Sequence, residues 1–248
     1  MNIDAQTKTK LHDMGAGALA DAIDAQDETT CTGMTFAERL QAAVDEAHSQ
    51  FVTSKVANLT KRARLRYPEA DVRRLEHVEE RKLSRTAIAE LATCGFAERC
   101  DNLVLQGYSG TGKTYLSCAL AKEACRRRMR SFYARVPDVE ELRRAQVDRD
   151  GSDAKLVKKL ASFQLLVLDE WLLEKPDDGM RTFFLEVMER RFKEGSTVFC
   201  TQFQRKDWHA RLGGDTTAEA IMDRIVHNSI WMEMGEVNMR ERMSKRAG

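Results

Sequence analysis

Gly107-Tyr108-Ser109-Gly110-Thr111-Gly112-Lys113-Thr114 carries the pattern G-x-x-x-x-G-K-[ST] at every fixed position. The glycines let backbone N–H groups turn inward around phosphate oxygens, and the N-terminus of a following helix adds partial positive charge. Lys113 is expected to reach the β- and γ-phosphates, and the Thr114 hydroxyl to ligate Mg²⁺. The flanks have the order this chemistry needs. Residues 102–106 form an apolar run of strand length, and residues 115–130 are rich in Ala, Leu, Lys and Arg, with neither Gly nor Pro. Strand, loop and helix in that order predict a nucleoside triphosphate site, with ATP and Mg²⁺ as cofactors. All eight loop residues, including Tyr108, Ser109 and Thr111, count as nucleotide-binding.

Leu165-Leu166-Val167-Leu168-Asp169-Glu170, some fifty residues on, supplies the complement. An acidic pair at the end of a buried strand places Asp169 to hold Mg²⁺, through a water or through Thr114. Glu170 is then placed to polarise the water that attacks the γ-phosphate. Between and beyond these motifs strands alternate with helices. Strands are predicted at residues 131–136, 197–201 and 230–234, and helices at 138–146, 154–161 and 217–228. Met180, Phe183, Phe184, Val187 and Met188 fall on one helical face, with Gly195 where a C-cap would stand. The pattern predicts an α/β domain, a parallel sheet flanked by helices.

The chain has 248 residues, 42% of them hydrophobic, enough for one α/β domain and a smaller module. No apolar run reaches the eighteen residues of a membrane span, and residues 1–10 lack the apolar core of a signal peptide, so a cytoplasmic protein without membrane contact is expected. The six cysteines lack a C-x-x-C pair, which argues against a zinc site or a disulfide framework. Forty basic residues balance 39 acidic ones, yet they are segregated. Residues 1–50 are mainly acidic, whereas 51–85 carry a cluster that includes Lys61, Arg62, Arg64, Arg66, Arg73 and Arg74. Such polarity suits polyanion contacts, or equally a solvated helix face laced with ion pairs.

The amino-terminal third reads as helical. One helix is expected over 11–25, a break at 29–33, and a long helix from Thr35, where Thr35 and Glu38 form a capping box. Phe36, Leu40, Val44, Ala47 and Phe51 repeat at helical spacing and are expected to be core. Pro68 ends this stretch, and residues 71–91 read as a charged helical connector. The expected domains are therefore a small all-α domain over 1–70, a connector over 71–95 and a nucleotide-binding domain over 96–248.

The order of these motifs, with the blocks LRYPEAD, LATCGFAERCDNLVLQG, VFCTQF and KDWHARLGGDTTAEAIMDRIVHNS, resembles the IstB family of transposition helper ATPases. These are relatives of the DnaC helicase loaders within the AAA+ class. The resemblance spans nearly the whole chain and implies an AAA+ P-loop fold. It implies that Gln202 is a polar sensor of the γ-phosphate or the attacking water. Arg224 matches the arginine finger that completes a neighbouring subunit's site, and Arg240 resembles the second sensor arginine, although its spacing differs from many relatives. In this class the helices between the second and third strands face DNA, and here they carry Arg143, Arg144, Lys155, Lys158 and Lys159. The implied partners are double-stranded DNA, further copies of the chain in an ATP-dependent homo-oligomer, and a transposase. Hydrolysis would reset the complex, and the helical domain would serve oligomer or partner contacts. A DnaC-like helicase loader and an ATP-gated DNA-binding scaffold without turnover are the competing readings; Glu170 argues against the second.

Overall fold

The computed structural model describes residues 3–246 except Glu28, Thr30 and His77, with only the backbone described over 243–246. The chain divides into two compact units, Met1–Asn58 and Leu59–Gly248.

In the first unit, α1 (Ala5–Asp13) is capped by Asp4, whose carboxylate accepts from Thr7 N at 2.9 Å. Lys8 of α1 reaches Asp24 of α2 (Gly17–Asp24) at 2.6 Å. The single helix expected over 11–25 is thus two, because Gly15 turns the chain at φ +75°. The long helix α3 (Phe36–Arg62) begins on the capping box. Thr35 N donates to Glu38 Oε2 at 2.7 Å, and Glu38 N to Thr35 Oγ1 at 3.3 Å. Its apolar stripe is not core. Phe36 is 73% exposed, Leu40, Val44 and Phe51 are also exposed, and Ala43 is the buried residue of the helix. A helical period marks an apolar face without saying that an element of the same chain covers it.

The second unit begins with the last turn of α3. Residues 71–91 do not form the expected helix: after one 3₁₀ turn, Val72–Arg74, the chain runs through turns to α4 (Arg85–Ala92), capped by Ser84, and α5 (Gly95–Glu98). Lys82 at φ +55° interrupts any helix there, and Ala70, Val78 and Leu83 enter the core from irregular backbone. Residues 59–95 therefore pack with the nucleotide-binding body and not as a separate connector.

That body alternates β1 (Asn102–Gln106), α6 (Lys113–Arg126), β2 (Ser131–Arg135), α7 (Val136–Asp150), α8 (Ala154–Ala161), β3 (Leu165–Asp169), α9 (Asp178–Arg191), β4 (Ser196–Thr201), α10 (Arg205–Arg211), α11 (Thr216–Val226), β5 (Ser229–Glu233) and α12 (Met239–Arg246). The five strands are parallel in the order β2-β3-β4-β1-β5. Both faces are covered, which is why the strands read as continuous apolar runs. Leu103, Leu105, Val167 and Val198 pack on one face with Leu116 and Leu120 of α6, while Val104, Leu166, Leu168 and Phe199 meet Phe183 and Phe184 of α9 on the other. Trp171 seals the second layer against Phe184 and Phe199, with ring centroids 4.7 and 4.8 Å away.

Gly195 is not the C-cap of α9. The helix caps at Phe192, and Lys193 takes the left-handed turn at φ +60°. Gly195 instead leaves room for the buried Arg191 guanidinium, which would lie 3.2 Å from a Cβ there and donates to Phe163 O at 2.6 Å and Thr197 Oγ1 at 2.9 Å. Among the cysteines, burial pushes the Cys94 and Cys118 thiols up to about 11 and raises Cys125 and Cys200 as well, whereas Cys31 and Cys100 are half-buried. No helix among the described residues is long and apolar enough to cross a membrane.

Candidate functional site

The β1–α6 loop lies at the carboxyl ends of the parallel strands, where β1 is flanked by β4 and β5, the position at which open α/β sheets hold ligands. Gly110 and Gly112 both sit at φ +84°, a conformation that costs an L-residue with a Cβ about 1–2 kcal/mol. At Gly110 a Cβ would also fall 2.2 Å from Asn238 Oδ1. The loop is thus pressed against the segment after β5, where Met239 N donates to Gly110 O at 2.9 Å.

Lys113 is buried at the start of α6 and its Nζ donates to Gly107 O at 2.6 Å and Tyr108 O at 2.8 Å. Burial lowers its pKa from the ordinary lysine value, because removing an ammonium from water disfavours the charged form. A phosphate would reverse that penalty. Next to it, the Thr114 hydroxyl donates to Asp169 Oδ2 at 2.7 Å, joining the phosphate loop to the end of β3. The same carboxylate oxygen accepts from the buried Tyr133 hydroxyl at 2.8 Å, and Asp169 Oδ1 accepts from Glu170 N at 3.0 Å. Burial and the neighbouring Asp169 charge push the Tyr133 phenol far up, so it remains a donor. A hydroxyl and a carboxylate held together are oxygen donors of the kind a hard divalent cation takes, and Thr114 with Asp169 fit Mg²⁺.

Glu170, the residue after β3, adopts φ +61°, a left-handed conformation that ends the strand. Its Oε1 lies 3.9 Å from Arg66 Nη1 and 3.8 Å from Arg135 Nη1. A hydrogen bond with Tyr133 is the chief reason the Arg66 pKa is raised above the ordinary arginine value. Arg66, Asp169 and Glu170 border a cavity of about 490 Å³, within the range of small-molecule sites, lined also by Arg81, Ser109, Lys113, Gln202 and Arg240. Gln202 follows β4 and its side chain makes no hydrogen bond among the described residues, so its amide is available to a ligand. Arg240, in the first turn of α12, lines the same cavity.

Other expected residues lie elsewhere. Arg224 does not line this cavity; on α11 it ion-pairs with Glu189 of α9, and its Nη1 donates to Ala220 O at 3.1 Å. Arg143 bonds Asp153 at 2.8 Å, Arg144 pairs with Glu140, and Lys155 bonds Asp150 at 2.9 Å. Lys158 and Lys159 are exposed on α8, the second with its ammonium 5.7 Å from the Phe132 ring centroid. Sequence reasoning did not single out Arg66, Tyr133 or Arg81 as members of the site. Arg66 stands in the LRYPEAD block, which was the available signal; Tyr133 is indistinguishable in sequence from a core aromatic.

Comparison with known proteins agrees with this geometry. Residues 6–247 match the family described as IstB-like ATP binding protein. A putative insertion sequence ATP-binding protein of Sinorhizobium fredii, y4pL, is 32% identical over 245 residues, covering 97% of this chain and 98% of its own length. The insertion sequence IS1162 putative ATP-binding protein of Pseudomonas fluorescens is 32% identical over 79% of this chain and 85% of its own. Among solved structures, the DnaC helicase loader superposes with a TM-score of 0.54 at 20% identity, covering 68% of this chain and 98% of that one. DnaI gives 0.57 at 22% identity over 69% and 90%. These structural likenesses establish an AAA+ P-loop NTPase fold, and the match along nearly the full sequence carries the narrower conclusion: the chain belongs to the family of IstB-like ATP-binding proteins.

Proposed function

We propose that this protein is an ATPase that assembles on double-stranded DNA when ATP is bound and serves a transposase. The observation that carries the ATPase reading is the Thr114–Asp169 contact at 2.7 Å, with Glu170 beside it at the cavity. In this reading Lys113 and the loop amides bind the β- and γ-phosphates. Thr114 and Asp169 hold Mg²⁺, which supplies charge neutralisation on the phosphate oxygens. Glu170 takes the proton of the attacking water, Gln202 orients that water, and Arg240 contacts the γ-phosphate.

Arg224 is absent from its own chain's cavity and sits half-buried on α11, as suits a finger offered to a neighbouring copy. Such a group is worth 10³–10⁵ in rate where it has been measured in other systems. The exposed stripe of α3, Phe36, Leu40, Val44 and Phe51, supports an oligomer or partner contact for the helical unit. The exposed Lys155, Lys158 and Lys159 of α8 support phosphate-directed, sequence-tolerant DNA binding, as do Arg143 and Arg144 once their carboxylate partners release them. One solved neighbour, the replication initiator DnaA, is described as bound to AMPPCP and single-stranded DNA. The transposase assignment rests on relatives named for insertion sequences that cover 97% and 79% of this chain, which favours it over helicase loading.

The test is the oligomeric mass by light scattering, with ADP or a slowly hydrolysed ATP analogue, with and without duplex DNA, at two salt concentrations. Large assemblies that need both ATP and DNA and weaken with salt are expected. A monomer indifferent to nucleotide and DNA overturns the reading.

A further inference from the structure

Arg81 is 2% exposed, lines the nucleotide cavity, and has no acidic partner among the described residues. Its Nη2 donates to the phosphate-loop carbonyl of Thr111 at 2.7 Å, while its Nε is buried with no hydrogen-bond partner among the described residues. A Cβ at Gly112 would lie 3.1 Å from Nη2, so the guanidinium lies directly against the loop. It cannot withdraw. Arg81 O is packed where a Cβ of Gly235 would be 2.2 Å away, and Lys82 follows at φ +55°.

Arginines this buried ordinarily carry a carboxylate partner, because an uncompensated buried charge is costly. Arg191 shows the other solution in this chain, a buried guanidinium ringed by acceptors: Thr197 Oγ1 at 2.9 Å, Leu160 O at 3.0 Å and Phe163 O at 2.6 Å. Arg81 has one acceptor among the described residues and a cavity beside it, and burial lowers its pKa.

We propose that Arg81 is a positioning residue of the nucleotide site: it fixes the phosphate loop through Thr111, and the polyphosphate of the bound nucleotide is its missing counter-charge. The proposal rests on the ATP-binding reading. Without nucleotide the buried cation is a burden on the fold; with nucleotide it becomes part of the binding energy. A merely structural arginine would stabilise both states alike.

The experiment compares wild type, Arg81→Met and Arg81→Lys by thermal melting and by titration with ADP, ATP and inorganic pyrophosphate. Arg81→Met is expected to melt no lower than wild type without nucleotide, and to bind all three ligands at least about tenfold more weakly, the loss expected of a charge-assisted contact. Arg81→Lys, which keeps the charge on a single donating nitrogen, should recover affinity to within about threefold of wild type. Pyrophosphate has no base, so a loss confined to ADP and ATP would assign Arg81 to the nucleoside and overturn the proposal. It is equally overturned by wild-type affinity in Arg81→Met, by a Met variant that fails to fold or melts lower without nucleotide, or by a Lys variant as weak as Met. Wild-type protein that binds none of the ligands would instead sink the ATP-binding reading itself.

Discussion

Replacing Lys113 by Ala removes the one ammonium at the start of α6, and the structure sets the size of the effect. An ammonium about 4 Å from one phosphate charge gains about 4 kcal/mol at the effective dielectric near 20 that suits partly buried pairs. To reach that phosphate, Nζ gives up one of its two carbonyls, Gly107 O at 2.6 Å or Tyr108 O at 2.8 Å, at a cost of about 1.5 kcal/mol. The remaining 2.5 kcal/mol or so corresponds to roughly 70-fold in Kd. The fold should not share the loss. Tyr108 is exposed and Gly107 half-buried, so water can replace the ammonium at both carbonyls, and stability should change by less than about 1 kcal/mol. Titration of both proteins with a fluorescent ADP, alongside thermal melts, measures the two quantities separately. An affinity within threefold of wild type would refute the reasoning, as would a collapse of the melting temperature that accounts for the lost binding.

Glu170→Gln should retain nucleotide affinity while the hydrolysis rate falls by about 10²–10⁴, the usual contribution of a general base; wild-type turnover in a phosphate-release assay would remove Glu170 from that role. If Arg224 acts on a neighbour, mixing Arg224→Ala with Lys113→Ala subunits should restore activity that neither has alone, and a complete lack of complementation counts against it. Nucleotide affinity should decline with rising pH before the ordinary lysine value of 10.5 is reached, because burial lowers the Lys113 pKa and only the ammonium form attracts phosphate; Lys113→Arg should lack that decline. Trp171→Ala, which empties the space between Phe184 and Phe199, should cost about 3–5 kcal/mol in denaturant unfolding, and a loss under 1 kcal/mol would contradict the packing described.

The phosphate loop and the Asp169-Glu170 pair were legible because each is a local pattern whose chemistry fixes residue type and spacing. The alternation of strands and helices was legible for the same reason, to within a few residues at each end. What sequence periodicity could not supply was the partner of a face. Phe36, Leu40, Val44 and Phe51 have core spacing and stand exposed, since no period records whether the covering element belongs to the same chain. Residues 71–91 misled in the opposite sense: a charged stretch with scattered apolar residues reads as a surface helix, yet its turns deliver Val78 and Leu83 to the core and Arg81 to the phosphate loop. An arginine is read as solvated unless something marks it otherwise, and the mark here, the Thr111 carbonyl thirty residues away, exists only after folding.

The unequal burial of the thiols has a practical consequence. Four of the six cysteines, Cys94, Cys118, Cys125 and Cys200, are doubly protected from alkylation, enclosed by the core and held as thiols by burial. The two left half-open are divided between the compact units, Cys31 in Met1–Asn58 and Cys100 in Leu59–Gly248. A maleimide dye applied to the unmodified chain should therefore mark each unit once, so that energy transfer between the two dyes can follow the units as nucleotide and DNA are added, with no cysteine engineered in or out.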